Sequence, residues 1–382
     1  MASEDARYKQ SSQFRLWSFS PAGLQELREK TNSLAKLQIA PRVDAANTDF
    51  LASGEETQLV KLFTVELIRA AHFCDLPTEI RSTAAMFFRR FYITNSVMTY
   101  PPTELLKTSL FFGCKAEGFY IRLAKLAEKF PNTTSEQILA GEFLLCQSIR
   151  FAFDVRHPFR ALEGAILQLR LKLKDEEVRI DNAHAKARDI LKFSALVTDA
   201  YFHYTPSQIM MAALLIVDEG LVDVLFPKQA QRRQDGDQSG NHHRPTDDEY
   251  ASQYEKIMKT VRSCKTMLEE EPPERMTEYW GTVCSSRDYG LSHDWAKKLT
   301  RVTTKPEVVK SMKPLRKKLQ KCRDPDRASL VELQRARREQ VVTNAKTADA
   351  ANDGTASGNA DARGAKRRKV EQAEDPFGPA LR

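Results

Sequence analysis

Glycine is scarce in this chain, 15 residues in 382, against about 7% in an average protein. Sheet-rich enzymes with phosphate loops and tight hairpins draw heavily on glycine, so its scarcity tilts the expectation toward helices. The familiar catalytic signatures are missing too: there is no G-x-G-x-x-G, G-x-x-x-x-G-K-[ST], G-x-S-x-G or H-E-x-x-H. His72, His184 and His203 each stand in helical text without an acid or nucleophile at a telling spacing, so core or surface histidines are expected and catalysis is not. The six cysteines, at 74, 114, 146, 264, 284 and 322, contain no C-x-x-C pair, which excludes a disulfide framework or a zinc site of the usual spacing. His242-His243 lacks a convincing further ligand set, so neither metal nor cofactor is expected. No run approaches the ~18 apolar residues of a membrane span and the N-terminus MASEDARYKQSS has no apolar signal segment. An intracellular soluble protein without membrane contact is the reading.

What is present is apolar text in helical register, carried by a chain that is 41% hydrophobic with a formal net charge of +8. The charge is local. Residues 297–323 hold eleven basic residues against one acid, Glu307, whereas the apolar region before them is balanced. At this length two domains plus tails are expected.

The segment 1–50 reads as an N-terminal helix and linker, the helix spanning Ser11–Leu37 with Ser20-Pro21 as cap and first-turn proline. A first block, 51–156, has helical apolar spacing from Glu55 to Cys74 and from Ile80 to Ile93. A short central buried helix follows at Leu105–Cys114. A further one runs to Ile149, opened by Thr133 and Glu136 at capping-box spacing. A second block, 157–270, repeats the plan with helices at Phe159–Lys172, Asn182–Tyr201, Pro206–Asp218 and Asp247–Leu268. It is interrupted by a polar insertion, 229–245, expected to be disordered. Tyr100-Pro101-Pro102-Thr103-Glu104-Leu105 and Tyr204-Thr205-Pro206-Ser207-Gln208-Ile209 echo each other at the same place in the two blocks, as two copies of one helical domain would. Beyond lie a basic helical extension, 271–344, with a helix at Val308–Leu333, and an Ala/Asp/Gly/Ser-rich tail, 345–382, expected to be disordered.

Two residues fit their surroundings poorly. Lys115 ends the apolar run Leu110-Phe111-Phe112-Gly113-Cys114, where a helix C-terminus with a favourable cation and a glycine stop would explain it. Glu142 lies within Ile138-Leu139-Ala140-Gly141-Glu142-Phe143-Leu144-Leu145. There it is either on a solvated face or reserved for a partner.

The run RSTAAMFFRRFYITNSVMTYPPTELLKTSLFFGCKAEGF resembles the first cyclin box, most closely that of the cyclin H type. TDAYFHYTPSQI resembles the matching segment of the second box, and SSQFRLWSFS the lead-in to the extra N-terminal helix of that type. The resemblance covers roughly residues 11–270. It implies an all-α fold of two tandem five-helix cyclin boxes with flanking N- and C-terminal helices and a disordered C-terminal tail.

It also implies a non-catalytic subunit that activates a cyclin-dependent kinase, of the CDK-activating type, without a cofactor. In cyclins a lysine closing the third box helix and a glutamate in the fifth bond backbone near the kinase's regulatory helix, and these positions match Lys115 and Glu142. Cys146, Phe151 and Phe119 fall at or beside further family contact positions. The implied partners are the kinase catalytic subunit, a RING-domain assembly factor and the TFIIH core.

Two departures separate the chain from the cell-cycle cyclins. Leu62–Ala70 does not reproduce their substrate-docking patch, and Arg89 stands where their buried arginine–aspartate pair has its aspartate. A transcription-type cyclin is therefore expected. The alternatives are another transcriptional cyclin of the C, K, L or T type, or a TFIIB-like DNA-binding adaptor with basic surface across both boxes. Lys366, Arg367, Arg368 and Lys369 form a compact cluster of nuclear-import type, pointing to the nucleus. Direct nucleic-acid contact through 297–323 is compatible with the cyclin role.

Overall fold

The computed structural model describes residues 4–44, 48–228, 247–280, 307–327 and 329–353. The 229–245 insertion and the 366–369 basic cluster lie outside the described residues. Among these residues every regular element is helical.

The N-terminal stretch is divided where the sequence suggested one helix. Helices α1 (Glu4–Gln10) and α2 (Ser12–Trp17) precede α3 (Pro21–Ile39). The break falls at Ser18–Ser20 because Ser20 is the cap: its Oγ accepts from the Gly23 N–H at 3.1 Å, and Pro21 occupies the first helical position.

The first block comprises α4 (Ser53–Phe73), α5 (Thr78–Thr94), α6 (Pro102–Ala116), α7 (Leu123–Glu128), α8 (Ser135–Ala140) and α9 (Glu142–Ser148). The fully enclosed helix is α5, buried on every side from Ser82 to Ile93. Helix α6, expected to be the central one, keeps an open edge at Thr103, Lys107, Phe111 and Lys115. One helix was expected up to Ile149, but Gly141 divides it into α8 and α9. Its cap is Thr134 with Gln137, which exchange bonds of 3.3 and 3.0 Å, not Thr133 with Glu136. Thr133 Oγ1 instead receives the Lys107 ammonium at 2.6 Å.

The second block comprises α10 (Phe159–Lys172), α11 (Glu177–Lys192), the single turns α12 (Ser194–Val197) and α13 (Ala200–His203), α14 (Pro206–Val217), α15 (Glu219–Leu225) and α16 (Asp247–Glu269). The expected helix Asn182–Tyr201 is thus three pieces. The capping box at α14 forms as expected, with Gln208 N–H donating to Thr205 Oγ1 at 3.3 Å and Thr205 N–H to Gln208 Oε1 at 2.9 Å. Its counterpart in the first block diverges. Glu104 Oε2 accepts the Leu330 N–H at 2.9 Å, from the far end of the chain.

The blocks are joined by a partly buried charge cluster. Asp199, in the short link before α13, receives both Arg28 Nη atoms from α3 at 2.8 and 2.7 Å, and Arg89 Nη2 from α5 at 2.5 Å. Arg89 also donates to the carbonyls of Leu196 and Thr198 and lies over the Phe202 ring. Burial alone would raise the Asp199 carboxyl, but the Arg28 hydrogen bonds and the two guanidinium charges outweigh it and hold it well below the usual carboxylate range. Burial lowers Arg89 to about 10, which leaves it charged. The position that breaks the cell-cycle pattern therefore supplies a different arginine–aspartate pair, between blocks. Arg90 enters the same interior without a carboxylate bond. It lies over the Trp17 ring and donates to the carbonyl oxygen of Ala152.

A second seam runs through His157, which stands between the blocks. Thr83 donates its hydroxyl proton to Glu117 Oε1 at 2.5 Å, so its oxygen is left to accept from His157 Nε2 at 2.8 Å. His157 Nδ1 then accepts from the Tyr201 hydroxyl at 2.9 Å. This order fixes the neutral Nε2–H tautomer. Burial, aided by the Arg90 charge, depresses the imidazole to about 3.

The extension returns to the first block. Helix α17 (Met276–Trp280) opens it, and α18 (Glu307–Ser311), α19 (Lys313–Lys321) and α20 (Leu330–Asp353) replace the single basic helix expected at 308–333. Pro314 opens α19, and Asp324-Pro325 ends the run. The last helix continues to Asp353, past the expected start of the disordered tail at 345. Ala345, Ala348, Ala350 and Ala351 supply helix propensity there. Lys318 bonds Asp49 and Glu55 at 3.0 and 2.9 Å, Arg42 bonds Asp324 at 2.8 Å, and Asp324 N–H reaches the Met98 carbonyl at 2.9 Å.

Removing the shared carboxylate by Asp199→Ala should cost about 3 kcal/mol of unfolding free energy, since two inward guanidiniums lose their counter-charge; urea denaturation measures it. The His157 effect has the opposite pH sense to a stabilising cation. Its folded value lies below the ~6.5 of the unfolded chain, so its contribution is complete above that pH and drains away as pH falls toward 3. Between pH 7 and 5 the wild type should lose about 2 kcal/mol more than His157→Gln. Comparing the two proteins cancels Glu56 and Glu66, which burial raises and which act in the reverse direction.

Candidate docking face

Lys115 lies in the last turn of α6, whose end is set by Gly118 in the left-handed region at φ +67°. Phe119 N–H returns to the Cys114 carbonyl at 2.8 Å, closing the helix and satisfying a terminal acceptor. The glycine stop read from the sequence is thus present, and it sends Phe119 and Tyr120 outward, both exposed.

Glu142 occupies the first turn of α9, not mid-helix, because Gly141 interrupts the run. The interruption has a steric cause. A Cβ at Gly141 would lie 2.9 Å from Thr108 Oγ1 on α6 and 3.0 Å from Leu330 Cδ1. On the other face of α6, a Cβ at Gly113 would lie 2.9 Å from Ala84 Cβ on α5. Two glycines therefore let three helices approach closely enough to bring Lys115 and Glu142 together.

The two form an ion pair, Lys115 Nζ to Glu142 Oε1, although 27 residues separate them. Lys115 is 50% exposed and also lies over the Phe111 ring. An ammonium with one carboxylate partner keeps donors for carbonyl groups, and the second Glu142 oxygen stays an acceptor for amide N–H groups.

Cys146, one turn along α9, is half-buried, and burial, with the Glu142 charge adding to it, pushes its thiol up to about 11. It is a neutral apolar contact there, not a nucleophile. At the end of α9 the chain turns through two consecutive left-handed residues, Arg150 at φ +57° and Phe151 at φ +53°. The strain holds Phe151 59% exposed, edge-on to Phe153, whose ring meets Phe112 and through it Phe87 in the core.

Five residues singled out in the sequence thus occupy α6, α9 and the turns that end them, and Lys115 and Glu142 are in direct contact. Exposed Phe143, Phe153 and Tyr120 were not foreseen. Phe143 had a signal: α9 buries Leu144, Leu145 and Ser148, and Phe143 lies off that stripe, with Gln147 one turn on. Phe153 and Tyr120 stand outside helices, where periodicity says nothing. Leu62–Ala70 on α4 is buried apart from Glu66, Arg69 and Ala70, and offers little surface to a substrate peptide. No group of three or more acids, histidines and cysteines that could hold a metal occurs among the described residues, and no described helix is long and apolar enough to cross a membrane.

The second block, residues 157–269, matches the family model of the cyclin C-terminal domain. Cyclin CCL1 of Saccharomyces cerevisiae is 35% identical over 240 residues, 58% of this chain and 60% of that protein. Cyclin mcs2 of Schizosaccharomyces pombe is 32% identical over 221 residues, covering 54% of this chain and 68% of the relative. Cyclin-H of Xenopus laevis is 26% identical over 54% of this chain and 67% of its own length. The chain thus spans about 60% of the budding-yeast relative and two thirds or more of the other two.

Among solved structures, one in the CAK complex of Chaetomium thermophilum bound to ATP-γ-S has a TM-score of 0.75 and 46% identity. That match covers 89% of this chain and 96% of the other. One in the yeast TFIIK complex of Kin28, Ccl1 and Tfb3 has a TM-score of 0.53 and 29% identity, over 68% of this chain and all of the other. These relatives place the chain: it belongs to the cyclin family of regulatory kinase subunits, in its cyclin H branch.

Proposed function

We propose that this chain activates a cyclin-dependent kinase of the CDK-activating type, docking through the face around Lys115 and Glu142. The observation that carries the reading is the meeting of these two residues at the surface, beside Cys146 and outward-held rings. The apolar groups supply binding area, while the ion pair offers directed donors and acceptors to a partner backbone. Activation follows by differential binding. The cyclin favours the kinase conformer whose regulatory helix is inward, so that the kinase's own Lys–Glu pair and magnesium site assemble. Turning a mostly inactive population into a mostly active one takes on the order of 5 kcal/mol of differential affinity. All reacting groups belong to the partner.

The relatives in CAK and TFIIK assemblies support a kinase subunit and a TFIIH-associated setting for this chain too. A RING-domain assembly factor as third subunit, and activation loops of other kinases and the RNA polymerase II C-terminal repeat as substrates, complete the proposal. A nuclear location fits it, with Lys366–Lys369 as the import signal.

Co-expression with the CDK-activating kinase subunit tests the face. Lys115→Ala/Glu142→Ala should lower kinase activation about 100-fold, as loss of two charge-assisted bonds at about 1.5 kcal/mol each predicts; undiminished activation would discard this face while keeping the cyclin. Phe151→Gly separates strain from contact. It should leave unfolding free energy within about 1 kcal/mol of wild type, because a left-handed backbone suits glycine, while weakening the complex about tenfold in a titration of cyclin into kinase.

A further inference from the structure

Helix α19 divides its cations between two tasks. Lys318 turns inward to Asp49 and Glu55, on the side where Leu319 and Cys322 are buried and Met312 and Leu315 half-buried. The opposite side carries only exposed side chains. Lys313, Lys317 and Lys321 follow one another at one-turn spacing, Arg316 and Gln320 flank them, and Lys310 continues the line from α18. No acid lies on this arc. None of Lys310, Lys313, Arg316, Lys317 and Lys321 forms an ion pair with a described residue, and only Arg316 has an acid, Glu66 of α4, within reach of its charge.

A solvated helix face ordinarily mixes signs, because like charges four residues apart repel and opposite ones attract. Here three lysines stand in an uninterrupted i, i+4, i+8 ladder on a helix anchored from behind. A folded protein carrying such a ladder is relieved when an anion covers it.

We propose that this face of α19 binds the phosphate backbone of double-stranded DNA. The chemistry favours DNA over a protein partner. The arc has no aromatic or aliphatic anchor of the kind that carries protein interfaces, and four of its five cations are lysines, point charges suited to phosphate positioning without sequence readout. From Lys313 to Lys321 helix α19 rises about 12 Å, and a duplex presents a negative charge every ~1.7 Å of its axis. Each lysine therefore finds a phosphate without distortion of either partner. The site is separate from the Lys115–Glu142 face, so the inference stands whether or not the kinase reading holds.

The test is fluorescence anisotropy of a labelled 20-base-pair duplex titrated with the full chain across 50–200 mM salt. Wild type should bind with a log–log salt slope of about −4.5, as five phosphate contacts predict. Lys313→Gln/Lys317→Gln/Lys321→Gln should reduce that slope by about 3 and weaken binding at least tenfold at 100 mM salt. Glutamine preserves the helix propensity, and an unchanged circular dichroism spectrum and Tm confirm folding. The proposal is overturned if the triple variant binds like wild type, or if the slope is instead lost on neutralising Lys366–Lys369. Tighter binding of single-stranded RNA or of a poly-glutamate peptide at equal charge also overturns it, naming the partner instead.

Discussion

A single carboxylate, Asp199, decides how the two helical blocks sit. It lies where the second block's broken helix turns back, and it accepts Arg28 from the N-terminal helix and Arg89 from the enclosed helix of the first block. Each guanidinium would be costly in that interior without it. The three elements are therefore held in one arrangement by the carboxylate they share. The apolar core supplies the driving force, but it is tolerant of small slides; the charge cluster is not. Helix α5 carries this constraint outward: its Ala84 receives Gly113 of α6, and α6 in turn presents Lys115.

The proposed docking face shows the same economy of means. Neither Lys115 nor Glu142 is positioned by a dedicated scaffold. Each ends or begins a helix at a point fixed by glycine, Gly118 in one case and Gly141 in the other. The left-handed pair Arg150–Phe151 places an aromatic ring in solvent, a local strain that the surrounding helices sustain.

Much of this could be read from the residues. Helical periodicity located α4, α5, α10, α14 and α16 to within a few residues, because each buries one or more faces at a regular spacing. The oddness of Lys115 and Glu142 was visible because charge is conspicuous in apolar text. Their contact was not, since it depends on close approach at Gly113 and Gly141, which a linear pattern does not encode. Arg89 shows the limit most clearly. Matched to a family position it signalled a missing pair, whereas its partner lies 110 residues away. The interruption of Asn182–Tyr201 escaped for a related reason: the residues at the break, Phe193-Ser194-Ala195-Leu196-Val197, are mostly apolar and all buried, so periodicity gives no warning there, and the freed carbonyls of Leu196 and Thr198 accept from Arg89. Lys318, read within a basic run, proved to be an anchor, while its neighbours on the same helix face water.

The return of the C-terminal extension to the first block bears on how the protein is made. Glu104 holds the N–H of Leu330, 226 residues later in synthesis, and Asp324 reaches back to Met98 and Arg42. At ribosomal rates of roughly 5–20 residues per second, the first block waits about 10–45 s for these contacts. It emerges early but is completed late, after the second block has already formed. Truncated products therefore lack the clasp beside Gly141 and Glu142, and full synthesis becomes a condition for finishing the face proposed for docking.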